Sequence, residues 1–166
     1  MNTNANWLGN VLTNIGCRVE KQMVLPDEEE PIINALNFLI NNRDGCIIMT
    51  GGLGPTNDDI TREVLFKYVE TDAKFDLDYW NKLSKKFKEL GINIPESNRN
   101  QALVPHKGDI IDNPLGSARG FKFKIDNTVI FSLPGVPSEM KAMTNATIIP
   151  WLKDRVDMVL FSQTIF

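Results

Sequence analysis

The segment Thr50-Gly51-Gly52-Leu53-Gly54-Pro55-Thr56-Asn57-Asp58-Asp59-Ile60-Thr61 gathers residue types that phosphate chemistry uses. An apolar run, Cys46-Ile47-Ile48-Met49, precedes it and reads as a buried strand. Behind it, Ile60, Val64, Leu65 and Tyr68 fall at helical spacing. In such a strand–turn–helix, Gly51, Gly52 and Gly54 can take conformations closed to other residues, so backbone N–H groups can converge on an anion. The helix N-terminus adds partial positive charge, and the neighbouring carboxylates of Asp58 and Asp59 could recruit a divalent cation beside a bound phosphate. A structural reading of the same residues also stands. Thr56 and Asp59 have capping-box spacing, with Asp in place of Glu or Gln, and first-turn acids need no ligand. The stretch is neither a Walker A loop nor a Gly-x-Gly-x-x-Gly fingerprint.

A second loop of the same polarity lies downstream. Thr128 to Leu133 reads as a strand, Pro134-Gly135-Val136-Pro137 as a turn, and Ser138 onward as a helix, with Pro137 suited to its first position. Ligands of open α/β sheets bind beyond the carboxyl ends of strands, so two such loops point to a shared crevice. Pro-Gly is also ordinary turn punctuation. Arg119, in a Gly-Ser-Ala-Arg-Gly loop, could clamp a phosphate bidentately or simply lie on the surface. Glu139 and Lys141 could serve a phosphate–metal centre or decorate a helix face. His106, between Pro105 and Lys107, has no evident partner for acid–base work and reads as a surface residue.

The elements that must position these loops alternate. Residues 3–15 carry Ala5, Leu8, Leu12 and Ile15 at helical spacing, with Gly16 as a cap. Val19 to Leu25 reads as a strand closed by Pro26. Asp27 to Glu30 load the start of a helix whose buried face is Ile32, Ile33, Leu36, Leu39 and Ile40, with Arg43 near its end. Strand 46–49 and a helix over about 58–69 complete a β-α-β-α series, which implies a parallel sheet covered by helices. An amphipathic helix follows over Leu77 to Leu90. Next come a helical stretch from Glu96 to Leu103, a loop-rich segment over 108–119, and a hairpin of 121–125 with 128–133 about Asp126-Asn127. The last helix runs from Pro137 towards Trp151, interrupted near Pro150, and Met158 to Phe161 suggest a further strand.

With 166 residues the chain suits one domain over residues 1–155 and a tail over 156–166. A net charge of -3 opposes a nucleic-acid surface, and Lys82, Lys85, Lys86 and Lys88 read as a solvated helix face. No apolar run approaches the ~20 residues that span a bilayer. Met1-Asn2-Thr3-Asn4 is no signal peptide, so a cytoplasmic location is expected. Cys17 and Cys46 read as buried thiols rather than a disulfide or metal site. The expected partner is a phosphorylated small molecule, with no nucleic acid and no membrane, and the chain is expected to form a homo-oligomer.

Four ordered motifs can now be named together: the Thr50–Thr61 segment, Asn98-Arg-Asn-Gln-Ala-Leu-Val-Pro, Asn113-Pro-Leu-Gly-Ser-Ala-Arg-Gly and Leu133-Pro-Gly-Val-Pro-Ser-Glu-Met-Lys. They resemble the amino-terminal domain of the CinA family, within the wider molybdopterin-binding (MoCF biosynthesis) superfamily. The resemblance implies a three-layer α/β/α sandwich around a mostly parallel sheet plus a small β-hairpin, MoaB/MogA-like. It also implies a metal-dependent pyrophosphatase acting on ADP-ribose-like nucleotides, using Mg, Mn or Co. Asp58 and Asp59 would then hold the metal, and Lys141 would assist catalysis. Thr50, Gly51, Gly52, Gly54, Asn113, Gly116, Ser117, Arg119, Pro134, Gly135 and Glu139 would bind substrate. The alternative is a molybdopterin-binding or pterin-phosphate-binding module without hydrolytic activity, built on the same Gly-Gly and Pro-Gly loops. Relatives open with an apolar strand and a Gly-x-Glu loop before Asn-Thr-Asn-Ala, whereas Asn2-Thr3-Asn4-Ala5 here follows Met1 directly. The expectation is therefore a domain lacking that strand and the amidohydrolase domain of bacterial relatives, with no nicotinamide-nucleotide deamidation assigned to it.

Overall fold

Two apolar runs pair in parallel at the centre of the fold. A computed structural model describes residues 3–40 and 45–155. In it, β1 (Gly45–Thr50) lies beside β6 (Thr128–Leu133) in register, Gly45 opposite Thr128 and Thr50 opposite Leu133. β6 is buried along its whole length, which is why its sequence, Thr-Val-Ile-Phe-Ser-Leu, is mostly apolar and carries no charge. β5 (Gly120–Ile125) pairs antiparallel with β6, and β4 (Asp109–Ile111) pairs antiparallel with β5. The order β1-β6-β5-β4 makes a mixed sheet, and only its β1–β6 contact is parallel among the described strands. The two-residue Asp126-Asn127 connection forces this change of direction, with Asp126 in the left-handed region at φ 49°.

Side-chain alternation along the strands separates two cores. Ile47 and Met49 of β1, Ile130 of β6, and Phe121 and Phe123 of β5 face one side. There they pack on Ile32 and Leu36 of α2 (Glu29–Ile40) and on Val64, Leu65 and Phe66 of α3 (Thr61–Tyr68). Cys46 and Ile48 of β1, with Val129, Phe131 and Leu133 of β6, face the other side. They meet Leu8 of α1 (Thr3–Asn14) and the carboxyl-terminal helical run: Met140 and Met143 of α5 (Pro137–Met143), then Leu152 of α6 (Ile149–Lys153). The period-two geometry of strands thus yields the expected α/β/α layering. Cys17 and Cys46 are free, partly buried thiols, and burial pushes the Cys46 thiol up to about 11.

Three features depart from the sequence pattern. Val19 to Leu25 is not a strand: the segment is irregular, and Met23 and Val24 are 43% and 77% exposed. The β-propensity of Val19, Val24 and their neighbours does not suffice where no cross-strand partner is within reach. A small second sheet also forms, β2 (Ala73–Phe75) against β3 (Leu103–Pro105), from runs too short to carry a periodic signal. It flanks α4 (Leu77–Glu89), whose lysines 82, 85, 86 and 88 are exposed, and a 3₁₀ helix at Glu96–Ala102. The terminal helix widens into a π segment at Thr144–Ile148, just ahead of Pro150, which has no N–H to continue the ladder and whose ring crowds the preceding turn. Arg43 and the strand expected at Met158 to Phe161 lie outside the described residues.

Phe121, 2% exposed, stacks edge-on to Phe66 with ring centroids 5.1 Å apart. Replacing it by alanine is expected to cost about 3–5 kcal/mol, read as a lower urea midpoint at unchanged m-value.

Candidate functional site

Parallel pairing of β1 and β6 brings both glycine loops to the same end of the sheet. Gly51 donates its N–H to the Leu133 carbonyl at 3.0 Å. A side chain on Gly135 would come within 3.2 Å of the Gly51 Cα, so the loops touch through backbone alone. Gly52 has φ +65°, and a Cβ there would stand 2.0 Å from the Thr61 hydroxyl at the start of α3. Glycine is required at that position by conformation and by space. Asn4 on α1 donates from Nδ2 to the Gly135 carbonyl at 2.8 Å, tying the second loop to the first helix.

Buried polar side chains brace the first loop from below. Leu53 inserts its side chain into the core, 1% exposed, and its carbonyl accepts from Arg62 Nη2 at 2.7 Å and from Gln101 Nε2 at 3.0 Å. Arg62 is 3% exposed. Burial lowers its pKa, while the charges of Asp59 and Glu63 draw it back up. The charge of Arg62 is thus committed to holding the loop.

A third segment, residues 113–119, closes the site. Asn113 Oδ1 accepts from the Leu115 and Gly116 amides at 3.0 and 2.9 Å. Its Nδ2 donates to the Ala118 carbonyl and to Glu139 Oε2. The Glu139 carboxylate lies over Gly116, where any Cβ would collide with it. Tyr79 donates its hydroxyl proton to the Ser117 carbonyl at 2.7 Å. Arg119 is 6% exposed, with its guanidinium 3.7 Å from the Tyr79 ring centre and Nη1 2.7 Å from Asp76 Oδ2. The hydrogen bond from Arg119, helped by the Tyr79 amide, holds the Asp76 carboxyl below its usual range.

These segments enclose a cleft of about 320 Å³. Of the site residues expected from the sequence, Gly52, Gly54, Asp59, Ser117, Pro134, Gly135 and Glu139 line it, together with Leu53, Pro55, Gln101, Ala118 and Val136. Thr50 and Gly51 support the loop from the end of β1, and Asn113 and Gly116 build the wall beneath Glu139. Three residues are placed elsewhere. Asp58 is exposed and does not reach the cleft. Lys141 faces α1, its Nζ 5.5 Å from the Trp7 ring centre. Arg119 is a buried brace rather than a clamp on the cleft surface. A larger open groove of about 430 Å³ between α1 and residues 19–22 contains neither glycine loop.

The Asp58–Asp59 pair is therefore divided. Asp59 Oδ2 turns back to accept from the Thr56 amide at 3.0 Å and the Thr56 hydroxyl at 2.5 Å, closing a turn ahead of α3 and leaving Asp58 facing outward. Among the described residues, no three His, Cys, Asp or Glu side chains cluster as a metal site. The carboxylates that do share the cleft are Asp59 and Glu139. Each keeps one oxygen, Oδ1 and Oε1, outside the hydrogen bonds just described. The adjacent Asp58 and Asp59 do not face the cleft together. Arg62, Gln101, Asp76 and Tyr79 were not among the site residues read from sequence. Gln101 and Asn4 stood inside recognised motifs, which was the available signal; the buried arginine on α3 gave none.

Removing the Arg119 charge should expose the cost of this bracing. The Asp76 carboxyl is depressed in the folded state, so its contribution is complete above the unfolded value, about 3.9, and is lost as pH falls through the lower folded value. Arg119→Met should lower stability by about 1–3 kcal/mol at pH 7. It should also flatten the acid limb of a stability–pH profile below about pH 4, measured by urea unfolding.

Comparison with known proteins places the family and the fold. The family described as "Probable molybdopterin binding domain" matches residues 1–154. A CinA-like protein of Geotalea uraniireducens is 36% identical over 164 residues, covering 99% of this chain and 39% of that protein. The chain thus spans about two fifths of the length of that curated relative. The crystal structure of CinA, of unknown function, from Thermoplasma acidophilum superposes with a TM-score of 0.76 at 32% identity, covering 90% of this chain and 87% of that one. Molybdenum cofactor biosynthesis protein B shares the fold at a TM-score of 0.57 and 20% identity, over 92% of this chain and 82% of its own. Among the described residues no helix is long and apolar enough to cross a membrane. The chain belongs to the molybdopterin-binding domain family and, within it, to the CinA-like proteins.

Proposed function

We propose that this domain binds a phosphorylated pterin of the molybdopterin type in the cleft between the two glycine loops. The observation that carries the reading is the chemistry of the wall. Its ionised side chains, Asp59 and Glu139, are hydrogen-bond acceptors, and no cationic side chain lines it among the described residues. The backbone amides of the glycine loops supply donors suited to a phosphate. The acceptors suit a ring rich in N–H groups. Pro134, Val136, Leu53 and Ala118 supply apolar surface for its faces.

A second reading, hydrolysis of ADP-ribose-like diphosphates with Mg, Mn or Co, is favoured by one feature of the same wall. Two carboxylates facing a phosphate repel it unless a cation intervenes, and Asp59 and Glu139 could hold one. When bound, such a metal supplies Lewis-acid polarisation of a phosphoryl oxygen and an activated water. The loop amides would orient the diphosphate, and Asn113 would hold the Glu139 carboxylate in place.

Fluorescence titration with 6-hydroxymethylpterin phosphate, with and without EDTA, tests the first reading; binding that persists in EDTA is expected. Release of phosphorylated products from ADP-ribose with Mg²⁺, Mn²⁺ or Co²⁺ tests the second. Asp59→Asn separates them further. Asn still accepts from Thr56, so stability should change by no more than ~1 kcal/mol. Turnover present in the native protein and abolished in that well-folded variant would move the assignment to the hydrolase. Absence of pterin binding would remove the first reading.

A further inference from the structure

Gln101 is the one neutral polar side chain of the cleft wall besides Ser117, and it is 2% exposed. Its amide is held in one orientation. Nε2 donates one hydrogen to the Leu53 carbonyl at 3.0 Å and the other to Asn100 Oδ1 at 3.1 Å, which exhausts its donors. Oε1 is buried and has no partner. A buried acceptor left unpaired costs free energy that a suitable donor recovers. A phosphate oxygen cannot serve, because it too is an acceptor. The group that completes Gln101 must carry an N–H or O–H. Asp59 and Glu139, on the same wall, impose the same demand.

We infer that Gln101 is a specificity-determining residue whose Oε1 accepts from the exocyclic amine of an amino-pyrimidinone ring, the donor that a pterin carries and its oxo counterpart lacks. The inference rests on the pterin-binding reading above and assigns a ring contact in addition to the phosphate contacts of the loops. An oxo group in place of the amine sets acceptor against buried acceptor and is rejected. A site built to satisfy a substrate N–H discriminates strongly against an analogue that lacks it, because the site's own polar group then stays unpaired.

The test compares 6-hydroxymethylpterin phosphate with its lumazine counterpart, in which the 2-amino group is replaced by oxo, by fluorescence titration against the native chain and Gln101→Met. The native chain should prefer the pterin by at least ~10-fold, the order expected when a buried acceptor loses its donor. Gln101→Met should reduce the preference to under about 2-fold, since methionine keeps the volume and removes the acceptor. Arg62 still holds the Leu53 carbonyl in that variant, so the loop retains a brace. Equal binding of both probes by the native chain overturns this inference while leaving the pterin reading intact. So does an undiminished preference in a folded Gln101→Met protein. Binding of neither probe by the native chain overturns both. If Gln101→Met does not fold, the native preference alone decides.

Discussion

Thr50 stands opposite Leu133, and the next residue, Gly51, donates its N–H back to the Leu133 carbonyl. Every other feature of the site follows from this parallel alignment. Parallel strands end on the same side of a sheet, so the turns that leave them must share one edge. Here the turns are close enough that a Cβ at Gly135 would stand 3.2 Å from the Gly51 Cα. The two turns therefore meet backbone to backbone at the edge of the cleft. The antiparallel β5 then brings residues 113–119 to the same edge, and Glu139 at the start of α5 covers Gly116.

The charges are distributed in a way that composition does not suggest. The two arginines nearest the site are both buried and both spent on architecture, Arg62 on a loop carbonyl and Arg119 on Asp76 and Tyr79. Arg62 Nε, and Arg119 Nε and Nη2, have no protein partner, so these guanidiniums are only partly satisfied. Buried cations under a loop reinforce it electrostatically in a low-dielectric setting and leave the cleft surface to acceptors. The result is a cleft wall whose charged side chains, Asp59 and Glu139, are both acidic, the feature that the proposed N–H-bearing ring would use.

Much of the fold was legible because its signals are periodic and local. The helices α1, α2, α3 and α4 lie within a few residues of their expected spans, and the Asp126-Asn127 hairpin follows from a two-residue turn between apolar runs. The signals that failed were those with no long-range partner encoded locally. Val19 to Leu25 carries strand-favouring residues but pairs with no described strand, and β2 and β3 are three residues each, too short for a period to register. The mixed character of the sheet was latent in the hairpin, since its two-residue turn sets β5 against the direction that β1, β6 and β4 share.

The sequence by itself determined where the loops are and what they are made of. Gly51 and Gly52 take left-handed backbone conformations that favour glycine, Gly54 and Gly135 sit at close approaches, and the flanking apolar runs form the strands. It also named Asp59 and Glu139 among the site residues, and it paired Asp59 with Asp58, which lies outside the cleft lining. Tertiary structure decided which side chains reach the cleft. Asp58 and Asp59 are neighbours in sequence yet diverge, because Asp59 turns back to Thr56. Glu139 arrives from eighty residues away in the chain. Arg119 and Lys141, cationic and near the loops in sequence, are drawn to Asp76, Tyr79 and Trp7 instead. A side chain's direction depends on which distant group satisfies it, and that is a property of packing rather than of spacing.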